Sequence, residues 1–223
     1  MSFSKHLYDK LQPIWRKNHD HPFVKELGEG TLSKEKFRFF MIQDYLYLIE
    51  YSKLFAIGAT KAKDVKTMGE FAKLLDATLN TEMSLHRQYA AKFHISEHEL
   101  ENANPAPTTL AYTHYMLHVG NQNGLAELVA SVLPCMWSYA EIGKMLDERH
   151  GKQNHDYQEW IDMYADSEFQ ALASWTINLL DELAAGKPEH ELVHLEEIFL
   201  TTTKFEYMFW DMAYHGTGWP KGL

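Results

Sequence analysis

The chain's one cysteine, Cys135, lies in Leu133-Pro134-Cys135-Met136-Trp137-Ser138-Tyr139. A thiolate is a strong nucleophile where its neighbours favour the ionised form. Pro134 has no backbone N–H, so a helix through this segment loses a hydrogen bond beside the thiol, and such interruptions often open room for a ligand. Tyr139, one turn on, shares the face of Cys135. Taken alone, the residue also reads as a buried structural thiol. A second constellation is Asp44, Tyr47 and Tyr51, spaced i, i+3, i+7 and therefore on one helix face. Phe40, Met41, Leu48 and Phe55 surround it in the pattern, so the face points inward. A carboxylate there needs hydrogen bonds. Either the tyrosine hydroxyls supply them, or the carboxylate is held ready for an amino group or ring nitrogen of a ligand. Glu206, in Phe205-Glu206-Tyr207-Met208-Phe209-Trp210-Asp211, is one acid amid four aromatics. That setting raises a carboxyl pKa and suits proton transfer; alone, it fits a solvated residue of an amphipathic helix equally well.

Other patterns carry less. His190-Glu191-Leu192-Val193-His194 has the H-E-x-x-H spacing of zinc peptidases. With 13 histidines in an acidic chain, chance supplies such matches. The glycine-containing extension with a third ligand is replaced by Leu195-Glu196-Glu197-Ile198-Phe199-Leu200. A di-iron bundle needs two Glu-x-x-His pairs, and Glu191 to His194 supplies one. No metal site is therefore assigned. No glycine-rich phosphate loop and no Gly-x-Ser-x-Gly occurs, which removes nucleotide-binding and α/β-hydrolase readings.

Helices must position these residues. Helical periodicity runs from about Phe3 to His19, with Leu7, Leu11, Ile14 and Trp15 on one face. His21-Pro22 breaks it. Ser33 opens a helix to about Ala62, and Met68 to Phe93 repeats the period. Asn104-Pro105-Ala106-Pro107 reads as a turn, with Thr108 as the cap that follows. Gly120-Asn121-Gln122-Asn123-Gly124 reads as another turn. Leu125 to about Leu146 is helical with Pro134 as a kink, and His150-Gly151 ends it. Ser167 caps a helix to Ala185, and a last helix covers about Glu189 to Tyr214. Glycine and proline otherwise fall between periodic segments, and no strand pattern is found. The expectation is one all-α domain, residues 1–223, a multi-helix bundle of seven or more helices.

Composition agrees. The chain has 223 residues, 45% of them hydrophobic and 23% charged, an ordinary globular balance. A formal charge of −10 argues against nucleic acid or an anionic membrane as main partner. One cysteine permits no internal disulfide and fits a reducing compartment. The start, Met1-Ser2-Phe3-Ser4-Lys5-His6, lacks an apolar signal region, and no transmembrane run is apparent, so a cytoplasmic protein is expected.

Three segments together carry a resemblance. They are Phe39-Phe40-Met41-Ile42-Gln43-Asp44-Tyr45-Leu46-Tyr47-Leu48, the stretch from Ser131 through Pro134-Cys135 to Gly143, and Glu206 with Phe209-Trp210 and the later Trp219-Pro220. In order and over nearly the whole chain they resemble the thiaminase II (TenA) family. The resemblance implies a haem-oxygenase-like all-α fold without haem and a homotetramer. It also implies hydrolysis of thiamine-related pyrimidines and a role in thiamine salvage. Cys135 is then expected as nucleophile and Glu206 as proton donor. Asp44 would bind the pyrimidine's amidine edge, Tyr47 would lie near the thiol, and Tyr112 would lie beside the ring. Tyr139 and Tyr164 would hydrogen-bond in the site, Phe209 would contact the ring, and Tyr51 is the weaker transfer. This chemistry requires no metal and no organic cofactor. A non-catalytic pyrimidine-binding or regulatory protein on the same scaffold is the alternative, and Cys135 separates the two, since a pure binder has no need of a thiol there. A metal-dependent oxygenase or peptidase using the histidines is a third class, which metal analysis would separate.

Overall fold

In the computed structural model, which describes residues 2–153, 155–220 and 222, short polar side chains open most helices by accepting a free backbone N–H of the first turn. Ser2 does so for α1 (Phe3–His19), His21 for α2 (Pro22–Gly28) and Ser33 for α3 (Lys34–Lys61). Asp64 opens α4 (Val65–Asp76), from which a π-helical turn, Ala77–Glu82, leads directly into α5 (Met83–Lys92). Ser96 caps α6 (Glu97–Glu101). Then follow α7 (Pro107–Gln122), α8 (Leu125–His150), α9 (Gln158–Ala165), α10 (Ser167–Ala184) and α11 (Glu189–His215). Among the described residues all regular structure is helical.

Several expected boundaries move for physical reasons. Thr108 is not a cap: α7 starts from Ala106 with Pro107 in its first turn, where a missing N–H costs nothing. Ser167 is the first residue of α10, and Asp166 accepts from Glu168 N. The expected helix Met68–Phe93 is interrupted by the π turn. Helix α7 extends through Gly120 to Gln122, into the expected turn. Proline and glycine also occur inside helices beyond Pro134: Pro13 lies in α1, Gly58 in α3 and Gly143 in α8. The two glycines mark close helix contacts. A Cβ on Gly58 would come within 2.5 Å of the Phe71 ring.

Contacts divide the chain into two compact units. One comprises Ser33–Leu125 with Asp211–Leu223. There α3 packs on α4, α5 and α7 around the buried rings of Phe37, Phe40, Phe55, Phe71 and Tyr89. Gln43 ties the start of α7 to α3. Its Oε1 accepts from Ala106 N at 2.8 Å and from Thr109 Oγ1 at 2.7 Å, and its Nε2 donates to the Asn104 carbonyl at 3.2 Å.

The other unit comprises Met1–Leu32 with Ala126–Trp210. Its centre is α8, which by length and composition could cross a membrane, but whose apolar window is 72% buried within the protein, as in a core helix. Beside α8 the rings of Tyr8, Trp15, Trp137 and Phe199 make stacked and edge-on contacts, with Tyr8 on Trp137 at 5.5 Å and Trp15 on Phe199 at 6.1 Å. Glu141 anchors this cluster. Trp15 Nε1 donates to Oε2 at 2.7 Å, Trp137 Nε1 donates to Oε1 at 2.8 Å, and His19 Nε2 lies 3.2 Å from Oε2. Burial pushes the Glu141 carboxyl up, but His19 and the two indole donors together outweigh it and hold it below its ordinary value of 4.5.

A carboxyl whose folded pKa is lowered contributes stability above its unfolded pKa and loses it as pH falls through the folded one. Glu141→Gln should therefore melt below wild type at neutral pH, by about 1 kcal/mol after allowing for partial exposure. The gap should close as acid protonates the wild-type carboxyl. Thermal melts of both proteins across pH check this; a gap that persists in acid would assign the effect to packing.

Candidate active site

The thiol sits in the middle of α8. Cys135 is 9% exposed, and Pro134 beside it offers no N–H to the Ala130 carbonyl. Ser138 Oγ donates to the Cys135 carbonyl at 3.2 Å. One turn on, the Tyr139 ring stacks on Trp210 at 5.1 Å and 24° and meets Tyr164 edge-on at 4.9 Å. Trp160 lies 4.5 Å from Tyr164 and completes the aromatic group. Tyr164 comes this near because Gly143 has no side chain: a Cβ there would fall 2.6 Å from the Tyr164 carbonyl carbon. Gln170 Nε2 secures the approach, donating to the Ala140 and Tyr164 carbonyls at 2.8 Å each. From α11 come Glu206 and Phe209, both 3% exposed. Glu206 is thus a buried acid, not a solvated one. Cys135, Tyr139, Tyr164, Glu206 and Phe209 all belong to this unit.

Asp44, Tyr47, Tyr51 and Tyr112 belong to the other unit and are all buried. Tyr47 stacks on Tyr51 at 5.2 Å and 25° and lies 5.1 Å from Tyr112, so three tyrosines form one aromatic surface. The tyrosine hydroxyls are not what holds the carboxylate. Tyr47 Oη reaches Met116 Sδ at 3.8 Å. Instead His86 Nε2 lies 2.7 Å from Asp44 Oδ2, with side-chain exposures of 0% and 4%. His86 Nδ1 is 2.8 Å from the Glu82 carbonyl. Burial alone would push His86 down. The hydrogen bond and charge of Asp44, with the Glu82 carbonyl, reverse this and raise it above its ordinary 6.5. Sequence reasoning missed His86. The signal was its phase: Met83, Tyr89, Ala90 and Phe93 place it on the core face of its helix.

The H-E-x-x-H segment lies elsewhere. His190 and His194 are exposed, and Glu191 pairs with Lys187. Among the described residues no three metal-ligating side chains cluster.

The helical architecture is of the haem oxygenase-like class of folds. A domain from Shewanella denitrificans OS217 with that fold superposes at a TM-score of 0.72, with 12% identity, covering 95% of this chain and 92% of that one. A TenA homologue from P. horikoshii OT3 matches more closely, with a TM-score of 0.89 and 28% identity over 97% and 100% of the two chains. The sequence model of the TENA/THI-4/PQQC family matches residues 8–216, and the chain belongs to that family. Among its relatives, the aminopyrimidine aminohydrolase of Halalkalibacterium halodurans is 54% identical over 220 residues, 98% of each chain.

Gly143→Ala should destabilise the protein by about 1–3 kcal/mol, because the obstructing atoms are backbone and not a flexible side-chain end. A thermal melt within a degree of wild type would show that α9 can shift freely, contrary to the tight approach described.

Proposed function

We propose that the protein is an aminopyrimidine aminohydrolase that converts 4-amino-5-aminomethyl-2-methylpyrimidine, and thiamine itself, into 4-amino-5-hydroxymethyl-2-methylpyrimidine for thiamine salvage. The observation that carries this reading is the buried Cys135 in a chain 54% identical, end to end, to an aminopyrimidine aminohydrolase. A protein that only bound pyrimidines would have no use for a thiol there. Family membership and full-length relatives make the protein a hydrolase; the residue roles are ours.

The leaving group sits on the methylene at ring carbon 5, where direct displacement by water is slow. The Cys135 thiolate adds to carbon 6 while Glu206 gives its proton to ring nitrogen 1, and the ring becomes an electron-rich enamine. That enamine expels ammonia, or the thiazole of thiamine. Water adds to the exocyclic methylene and passes its spare proton to the released ammonia, or to solvent when thiamine is the substrate; the carbon–sulfur bond then breaks to restore the thiolate, and the proton on nitrogen 1 returns to Glu206. Asp44 accepts from the 4-amino group. Tyr47, Tyr51, Tyr112, Tyr139, Tyr164 and Phe209 bind the flat ring and exclude water. The sequence of steps uses no metal and no organic cofactor. We further propose a single catalytic domain, a cytoplasmic location, no nucleic-acid or membrane partner, and a homotetramer.

Cys135→Ser should release ammonia from the aminomethylpyrimidine at least about 100-fold more slowly, because a hydroxyl ionises far less readily than a thiol. Near-wild-type release would end the covalent mechanism. Glu206→Gln should retain affinity for the hydroxymethylpyrimidine by calorimetry but lose turnover, whereas Asp44→Asn should lose affinity, because an amide presents a donor to a donor. Full turnover in Glu206→Gln would remove its role as acid. Multi-angle light scattering should give the mass of four chains; a stable monomer at micromolar concentration would overturn the tetramer.

A further inference from the structure

The Asp44–His86 pair has a fixed proton count. The Glu82 carbonyl has only lone pairs, so His86 Nδ1 must donate to it across their 2.8 Å. The proton on the 2.7 Å line between Nε2 and Asp44 Oδ2 then has two homes. On Nε2 it makes an imidazolium beside a carboxylate; on Oδ2 it makes two neutral groups. Either way the buried pair carries no net charge, which is what an apolar interior tolerates. The raised basicity of His86 favours the first arrangement. Among the described residues, the titratable groups that act on His86 are Asp44 from α3 and Glu82 from the π turn. Among the described residues His86 is the donor to Asp44, and it engages Oδ2 alone. Oδ1 is left to accept from elsewhere.

We propose that His86 is a positioning residue for substrate: it clamps Asp44 by Oδ2 in the ionised form, so that Oδ1 accepts the N–H of the pyrimidine's ring amino group. The inference rests on the reading of Asp44 as the amine-binding carboxylate. His86 touches no substrate. It acts by removing two ways in which Asp44 would fail, rotation of the carboxylate and its protonation. A protonated Asp44 would present a hydroxyl, which can turn a donor toward the substrate's donor. Without His86 the buried carboxylate would lose both its donor and the opposite charge that balances it.

Two amides dissect the clamp. His86→Gln places an amide donor near the site of Nε2 without the positive charge. His86→Asn keeps a donor near Nδ1 and the Glu82 carbonyl but leaves Asp44 bare. Calorimetric affinity for 4-amino-5-hydroxymethyl-2-methylpyrimidine should fall about 10-fold or more in His86→Asn, with KM for the aminomethyl substrate rising more than kcat falls. His86→Gln should bind close to wild type at alkaline pH. On acidification it should lose affinity at a higher pH than wild type does, a shift that loss of packing alone would not produce. If the amides fail to fold, ¹⁵N shifts of the wild-type imidazole decide: both nitrogens protonated through neutral pH supports the clamp, and a bare Nε2 overturns it. Wild-type KM and pH profile in both variants would also overturn it, provided Asp44→Asn loses affinity. If wild type neither binds nor hydrolyses the pyrimidines, it is the functional reading that has failed.

Discussion

A carboxylate carried into an apolar interior is held only where donors reach it and opposite charge balances it. Asp44 meets that condition through one histidine, and His86 in turn needs the Glu82 carbonyl for its second nitrogen. Three elements therefore share one requirement. Helix α3 must bring Asp44 inward, the π turn must present a carbonyl, and α5 must place the imidazole between them. The large rings nearby supply burial; among the described residues the donor to the carboxylate is His86. Chemistry and packing thus meet at this point, because the helices that carry Asp44 and His86 must keep the two side chains in reach.

The thiol unit solves a different problem. Its residues are held by close backbone approach and by ring-on-ring contact. The missing side chain of Gly143 lets α9 settle on α8, Gln170 bridges the two, and Tyr139 stacks on Trp210 and meets Tyr164 edge-on. The proline beside Cys135 removes a ladder hydrogen bond where the thiol stands. Farther along α8, Glu141 ties the outer aromatic cluster together through two indole N–H groups and His19. One helix thus carries the buried thiol, a contact residue and an anchor within three turns.

What could be read from residues alone follows from the range over which each signal acts. The inward face of Asp44, Tyr47 and Tyr51 is a property of one helix, so periodicity suffices to find it. The helical class is likewise local, summed over many windows. The burial of Glu206 was undecided in sequence, because an acid amid aromatics fits a core and a surface alike; packing decides it. His86 escaped because its partner lies 42 positions away and its orientation depends on the irregular turn before it. Gly143 could not be weighed because a close approach belongs to two helices at once. The starts of α7 and α10 were misplaced by a residue or two because Ala106-Pro107 and Asp166-Ser167 each contain rival openers, and local chemistry ranks them too closely to choose.

The π turn before α5 changes what a length variation would mean. A π turn holds one residue more than α-helical phase requires, and each residue advances the following helix by about 100°. Loss of one residue between Ala77 and Glu82 would therefore turn this stretch into ordinary α-helix and leave α5 in phase, with His86 still facing Asp44. The same loss from regular helix would rotate α5 by that 100° and take the imidazole off the carboxylate. The irregular turn is thus a place where the chain can change length without parting the buried pair.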